Sequence, residues 1–145
     1  MATRRLYYED AEIGDDIGPV QRVVSGAQVA EFSRVWRAES EPSRFSDAEV
    51  ARREGLPGPM VPGAMSVAML SQLVLGWSTT VTLKKIDVIF RQVVVHDVAL
   101  TLKGAVTDKG VVDGEPQVEC DLTIESSEGA TLVIGKATVG LPTRG

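Results

Sequence analysis

The stretch from Gly63 to Leu75 constrains this chain more than any other, because Met65, Val67, Ala68, Met69, Leu70, Leu73, Val74 and Leu75 leave almost no polar face on a helix of that length. A helix apolar on nearly every side has to be enclosed by other elements. The surrounding apolar region, Ala64 to Trp77, is interrupted by Ser66, Ser71 and Gln72 and is too broken to cross a bilayer. Beyond this region the chain is nearly all strand: Val81 to Val94, Val98 to Val106, Gln117 to Ile124 and Thr131 to Val139. Turns are expected at Asp108-Lys109-Gly110, Asp113-Gly114 and Ser127-Glu128-Gly129, and such short connections imply antiparallel pairing.

Alternation assigns the strands a dry face. Val118, Cys120, Leu122 and Ile124 point one way while Glu119, Asp121, Thr123 and Glu125 point the other, and Val98, Leu100 and Leu102 repeat the pattern. A curved antiparallel sheet wrapped around the one apolar helix lets each cover the other's hydrophobic surface, which makes the chain α+β. Such a sheet leaves edges and a partly apolar flank, so pairing with a second copy is expected.

The N-terminal part supplies shorter elements. Strands are expected around Leu6 to Tyr8 and Gly18 to Val24, joined by the Gly14-Asp15-Asp16 turn. Ser25 and Gln28 have capping-box spacing at the start of a helix whose Val29, Phe32 and Trp36 share one face. Ser46 and Glu49 announce a second short helix, which Gly55 stops before the loop Leu56 to Pro62. No repeat, linker or low-complexity segment interrupts the 145 residues, which make one domain.

With 43% hydrophobic and 24% charged residues the composition is that of an ordinary soluble protein. A net charge of -5 argues against a nucleic-acid partner, leaving only the Lys84-Lys85 pair as a local basic patch. Cys120 is the one cysteine, so no intrachain disulfide forms, and its strand neighbours mark it as an inward, structural thiol. The N-terminus lacks an apolar run of signal-peptide length, and a cytoplasmic location with no membrane association is the expectation.

Several segments, in order and spacing, resemble the MaoC-like branch of hot-dog proteins, which includes (R)-specific enoyl-CoA hydratases and acyl dehydratases. They are Tyr8-Glu9-Asp10 with Ile13-Gly14-Asp15, Phe32 to Ala38, Asp47 to Gly58, the helix from Gly63, and Ile86-Asp87-Val88-Ile89-Phe90-Arg91. The resemblance implies the hot-dog fold and a site in which that family's motif reads Asp-x-Asn-Pro-x-His. Laid on Pro42, that motif puts Glu39 at the aspartate, Glu41 at the asparagine and Arg44 at the histidine, so all three reactive side chains differ. The segment is one residue longer than usual between Arg44 and Ala51, so Arg44, Ser46 and Asp47 compete for the histidine's place. The family's His-Gly at the central helix is here Pro62-Gly63.

Adding water across an α,β-unsaturated thioester needs a group to take a proton from water, one to protonate the α-carbon, and donors for the enolate oxygen. Gly63 at the positive end of the helix can supply the donor through its backbone. Arg44 cannot shuttle protons, since a guanidinium stays charged and has no acceptor. Glu39 keeps a carboxylate, and Glu41, held extended before Pro42, can pair with it on one side of the chain so that one pKa is raised by the other. The opposing reading is a solvated charge cluster at the mouth of an altered pocket. An inward Arg44 would instead bind charge on a ligand, which suits a cyclising role.

The catalytic candidates are therefore Glu39, Glu41, Arg44 and Gly63, with Asp47, Pro62, Met65 and Trp77 as substrate-binding candidates. Trp36 and Trp77 read foremost as packing anchors, and His96 and Asp97 as surface turn residues, with His96 as a displaced base the alternative. No metal or other cofactor is expected; coenzyme A or an acyl-carrier thioester enters only as the substrate handle that the resemblance implies. The resemblance points to a hydratase or dehydratase acting on an acyl thioester or polyketide-like substrate as a homodimer. Two alternatives accompany it: a repurposed cyclase of natural-product biosynthesis, and a non-catalytic hot-dog subunit paired with an active partner.

Overall fold

A computed structural model describes residues 4–36 and 42–145. After a 3-10 turn at Tyr8–Asp10 come β1 (Asp16–Val23), α1 (Gly26–Trp36), α2 (Ala48–Arg53), α3 (Gly63–Leu75), β2 (Thr82–Phe90), β3 (Ala99–Val112), β4 (Glu115–Ser126) and β5 (Thr131–Gly140). The strands form one sheet in the order β1-β3-β4-β5-β2, antiparallel at every pairing. The sheet curls over α3, which contacts β1, β2, β3 and β4. This is the α+β hot-dog arrangement.

The core lies between the sheet's concave face and α3. Val118, Cys120, Leu122 and Ile124 of β4 are all buried, as their alternation requires, and they meet the buried Met69, Leu70, Leu73 and Val74 of α3. Each large apolar side chain of this core contributes about 1.5–3 kcal/mol when fully buried, so the layer between sheet and helix is a large source of cohesion. Cys120 is buried among these apolar groups, and burial, then Glu119 and Asp121, pushes its thiol up to about 12.

Several sequence-based expectations are corrected. Residues 6–8 form no strand; the chain instead turns at Tyr8–Asp10, closed by the Asp10 carboxylate accepting the Tyr7 N–H at 2.9 Å. There is no turn at Asp108-Lys109-Gly110. β3 runs through it with a bulge between Val106 and Asp108, and Lys109 reaches back to donate to the carbonyls of Tyr8 and Ala11. Lys84-Lys85 is not a basic patch, because Lys84 pairs with Glu115 and Lys85 with Asp87. Val98 is exposed, and the inward alternation begins only at Leu100.

The helices show the same mixture. Ser25 and Gln28 form the expected reciprocal cap: the Gln28 N–H donates to Ser25 Oγ and the Ser25 N–H to Gln28 Oε1. Of the expected inward face of α1, Val29 is buried but Trp36 is 55% exposed, its ring tilted at 38° against that of Phe32. The α2 cap is Asp47 rather than Ser46, and Gly55 at φ +81° ends that helix as expected. α3 is not wholly enclosed, since a sheet of five strands covers only part of a helix. Ala68, Gln72 and Leu75 form an exposed stripe. Among the described residues no helix is long and apolar enough to cross a membrane.

Candidate functional site

α3 begins where a buried proline can start a helix. Pro62, at φ -57° and ψ 142°, is its N-cap and offers no side-chain cap, so the first turn relies on backbone bonds. The Pro62 carbonyl accepts from Met65 and Ser66, while the N–H groups of Gly63 and Ala64 find no partner among the described residues. A cavity of about 460 Å³ opens there, walled by Met60, Val61, Phe90, Val93 and Val94, with Gly63 and Ser66 on the helix side and Arg91 and Gln92 also in its lining. Glycine at position 63 lets the Phe90 ring lie close against the helix start: a Cβ there would sit 2.9 Å from its Cζ, and the ring would have to shift.

The walls are held by a small backbone network. Val61 N–H donates to the Val94 carbonyl, His96 N–H to Pro59, and Met60 N–H to Arg44. The segment after Pro42 is thereby joined to the strand-like stretch Met60–Val61 and to the β2–β3 connection. His96 strengthens this joint, contrary to its reading as a surface residue. Its side chain is only 9% exposed, with Nε2 at 3.2 Å from the Phe45 carbonyl and Nδ1 at 2.9 Å from the Asp97 carboxylate. Asp97 also accepts the Gly26 N–H, and these bonds, the His96 one foremost, hold its carboxyl below the usual range. Asp97 itself is an exposed turn residue at φ 65°.

Glu39 and Glu41 lie outside the described residues. Arg44 lines no part of the Gly63 cavity. It is half-exposed and its Nε lies 3.2 Å from Glu54 Oε1, at the far end of α2. Asp47 Oδ1 accepts from the N–H groups of Glu49 and Val50, which gives this carboxylate a structural task in capping α2. Ser46 Oγ accepts the Ser43 N–H within its own turn. Gly63 lines the cavity; Pro62, buried as the α3 N-cap, and Met65, half-buried against the core, are adjacent in sequence but not part of its lining.

Trp77 is elsewhere. It lies past the far end of α3, a helix about 18 Å long from Gly63 to Leu75, and lines a second cavity of about 500 Å³ with Arg4, Asp16, Arg22 and Gln72. Its burial makes it the packing anchor of that end. Ser66 and Phe90 were not singled out in the sequence as site residues. The signal for Ser66 was its position three residues after Gly63, on the same helix face. Among the described residues no group of three or more His, Cys, Asp or Glu is placed to hold a metal ion.

No protein-family model matches this chain, and no curated protein matches it. Solved structures do. The (R)-hydratase from A. caviae involved in PHA biosynthesis superimposes with a TM-score of 0.79 at 21% identity, over 92% of this chain and 99% of that one. A MaoC-like dehydratase from Rhodospirillum rubrum gives 0.79 at 18% identity, over 97% and 99%. One chain of the ChsH1–ChsH2 complex from Mycobacterium tuberculosis gives 0.75 at 14%, over 90% and 98%. The chain therefore has the fold of MaoC-like dehydratases and (R)-hydratases along nearly its whole length.

Proposed function

We propose that this chain is a hydratase or dehydratase of the MaoC-like kind that acts on an acyl thioester in the cavity at the start of α3. The observation that carries the reading is Gly63, at the positive end of a 13-residue helix, opening into an apolar cavity of about 460 Å³. Such a pocket accepts an acyl group, and the helix start favours the oxygen on which negative charge develops. In hydration the water oxygen bonds to the β-carbon, one water proton passes to a base, and a proton is delivered to the α-carbon. Glu39 is the assigned carrier for both transfers, with Glu41 as its partner, because Arg44 has no acceptor and is paired with Glu54. The thioester handle is coenzyme A or a carrier protein, and the site of action is the cytoplasm.

A homodimer is the proposed assembly. β2 is an edge strand with Ile89 and Phe90 exposed at its end, and the open stripe of α3 ends in Leu75. A second reading rests on those same surfaces: a non-catalytic subunit that pairs with an active hot-dog partner, in a two-component assembly like the ChsH1–ChsH2 complex. A repurposed cyclase, positioning a polyketide-like substrate without proton shuttling, would use the same cavity.

The test is a hydration assay of the purified protein against trans-2-enoyl-CoA thioesters of graded length, with Glu39→Gln alongside and light scattering to give the oligomer. Turnover that falls about 100-fold or more in Glu39→Gln supports the hydratase reading. A well-folded dimer with no turnover on any thioester rejects it. A protein that becomes monodisperse only with a partner supports the subunit reading.

A further inference from the structure

Three buried hydroxyl oxygens among the described residues have no hydrogen-bond partner: Ser33 Oγ, Ser66 Oγ and Thr123 Oγ1. Of these, Ser66 is the one that lines the cavity beside Gly63. Its residue is 1% exposed, so bulk water does not satisfy it, and a buried polar group left unpaired is unfavourable unless something else meets it.

Its position gives the unpaired hydroxyl a direction. Ser66 lies three residues after Gly63 and shares its face of α3, and helical side chains lean toward the N-terminus. The hydroxyl therefore lies over the turn that Gly63 begins, buried at the cavity wall and without a hydrogen-bond partner among the described residues. Opposite stands the Phe90 ring, close enough that a Cβ on Gly63 would meet Cζ at 2.9 Å. Phe90 is 52% exposed, so its ring can give way to an entering ligand. The slot thus offers an O–H donor and a helix-start N–H from the α3 side and a mostly apolar lining elsewhere, with Arg91 and Gln92 its other polar residues.

That combination selects among ligands. The mostly apolar walls disfavour a strongly hydrated free anion, and the one cation of the lining, Arg91, is solvent-exposed. A carbonyl oxygen, with two lone pairs and an apolar substituent, fits both the donors and the walls. Resting on the thioester reading of this cavity, we propose that Ser66 is a substrate-binding residue whose hydroxyl donates to the thioester carbonyl oxygen held at the start of α3, next to the Gly63 N–H. Acceptance of that bond converts an unpaired hydroxyl of the free protein into a paired one.

The probe is butyryl-phosphopantetheine, which is saturated and unreactive and carries the arm common to coenzyme A and acyl-carrier proteins. Wild type and Ser66→Ala are titrated calorimetrically, the thioester carbonyl, carbon-13 labelled, is followed by infrared difference spectroscopy, and both ligand-free proteins are melted. Ser66→Ala is expected to bind about three- to tenfold more weakly and to lose part of the carbonyl band's shift to lower wavenumber. Its ligand-free melting temperature should equal or exceed that of wild type, because no bond has been removed. Equal affinity and an unchanged band in wild type and Ser66→Ala overturn the role of Ser66 and leave the thioester reading standing. A lower melting temperature in Ser66→Ala also overturns it, since the hydroxyl would then already be paired, for example with an internal water. Failure of wild type to bind the probe rejects the thioester reading, and the role of Ser66 with it.

Discussion

The two ends of α3 each present a buried serine, and the two are treated oppositely. Just past the C-terminal end, Ser78 is 2% exposed and saturated: it accepts the N–H groups of Leu6 and Thr80 and donates to the Arg4 carbonyl. Thr80 continues the stitch by donating to the Leu6 carbonyl. At the N-terminal end Ser66 is as deeply buried and has no partner. A saturated hydroxyl ties segments distant in sequence, here the N-terminal residues to the loop after α3, and its worth is architectural. An unpaired hydroxyl facing a cavity contributes nothing to cohesion in the free protein, so its worth has to be sought in what enters the cavity. The same division separates Trp77, which anchors one end, from Phe90, which stands half-open at the other.

This contrast can be broken by experiment, most forcefully through the aromatics. Trp77→Ala should lose about 3–5 kcal/mol in urea unfolding, whereas Phe90→Ala should cost well under half of that while altering ligand affinity. Equal losses would mean that both ends serve the fold alike. Ser78→Ala should cost about 1–3 kcal/mol, because it removes the acceptor of the Leu6 and Thr80 N–H groups, whereas Ser66→Ala should not destabilise the ligand-free protein. Asp47→Ala should lose about 1 kcal/mol through the α2 cap, and Asp47→Asn, which keeps a cap acceptor, much less. Should Asp47→Asn instead abolish thioester turnover at unchanged stability, the carboxylate would belong to the site as well as to the cap.

The smallest expected effect concerns pH. Because the Asp97 carboxyl is held below its ordinary value, the folded state favours its charged form. Its stabilising bonds to His96 and Gly26 are present above the ordinary carboxylate range and are lost as pH falls through the lowered value. The group is well exposed, so global stability should barely move. The Gly26 amide resonance should nevertheless titrate with a midpoint below that of an unperturbed aspartate, and a midpoint at or above it would contradict the tie.

The sequence was most legible where local periodicity and burial coincide. α3 has the bounds that its apolar run predicts, and β4 buries the four side chains its alternation selects, because each pattern is met by the other. Gly55 and the Ser25–Gln28 box were readable since they act within one turn. The Asp108-Lys109-Gly110 segment misled because its turn-forming residues sit in a bulged strand, and Lys109 is held by carbonyls about a hundred residues away in sequence. Trp36 misled because helical spacing places it on a face without saying whether that face is covered. At the candidate site, Gly63 was legible from its place at the helix start. Ser66 was not, since lacking a partner is a property of three-dimensional surroundings that no spacing encodes. His96 escaped for the related reason that its burial and its contact with the Phe45 carbonyl depend on how two segments distant in sequence meet.

The lone thiol has a practical consequence. Cys120 sits mid-strand in β4, with its proton held until about pH 12, so at neutral pH it is almost entirely the unreactive form and is also shielded from reagents. Alkylation can proceed only when the sheet parts around it, which makes a thiol-specific mass tag a counter of whole-domain opening events. The rate of tagging, compared with and without a bound thioester, would measure how much the ligand slows the breathing of the core without any engineered probe.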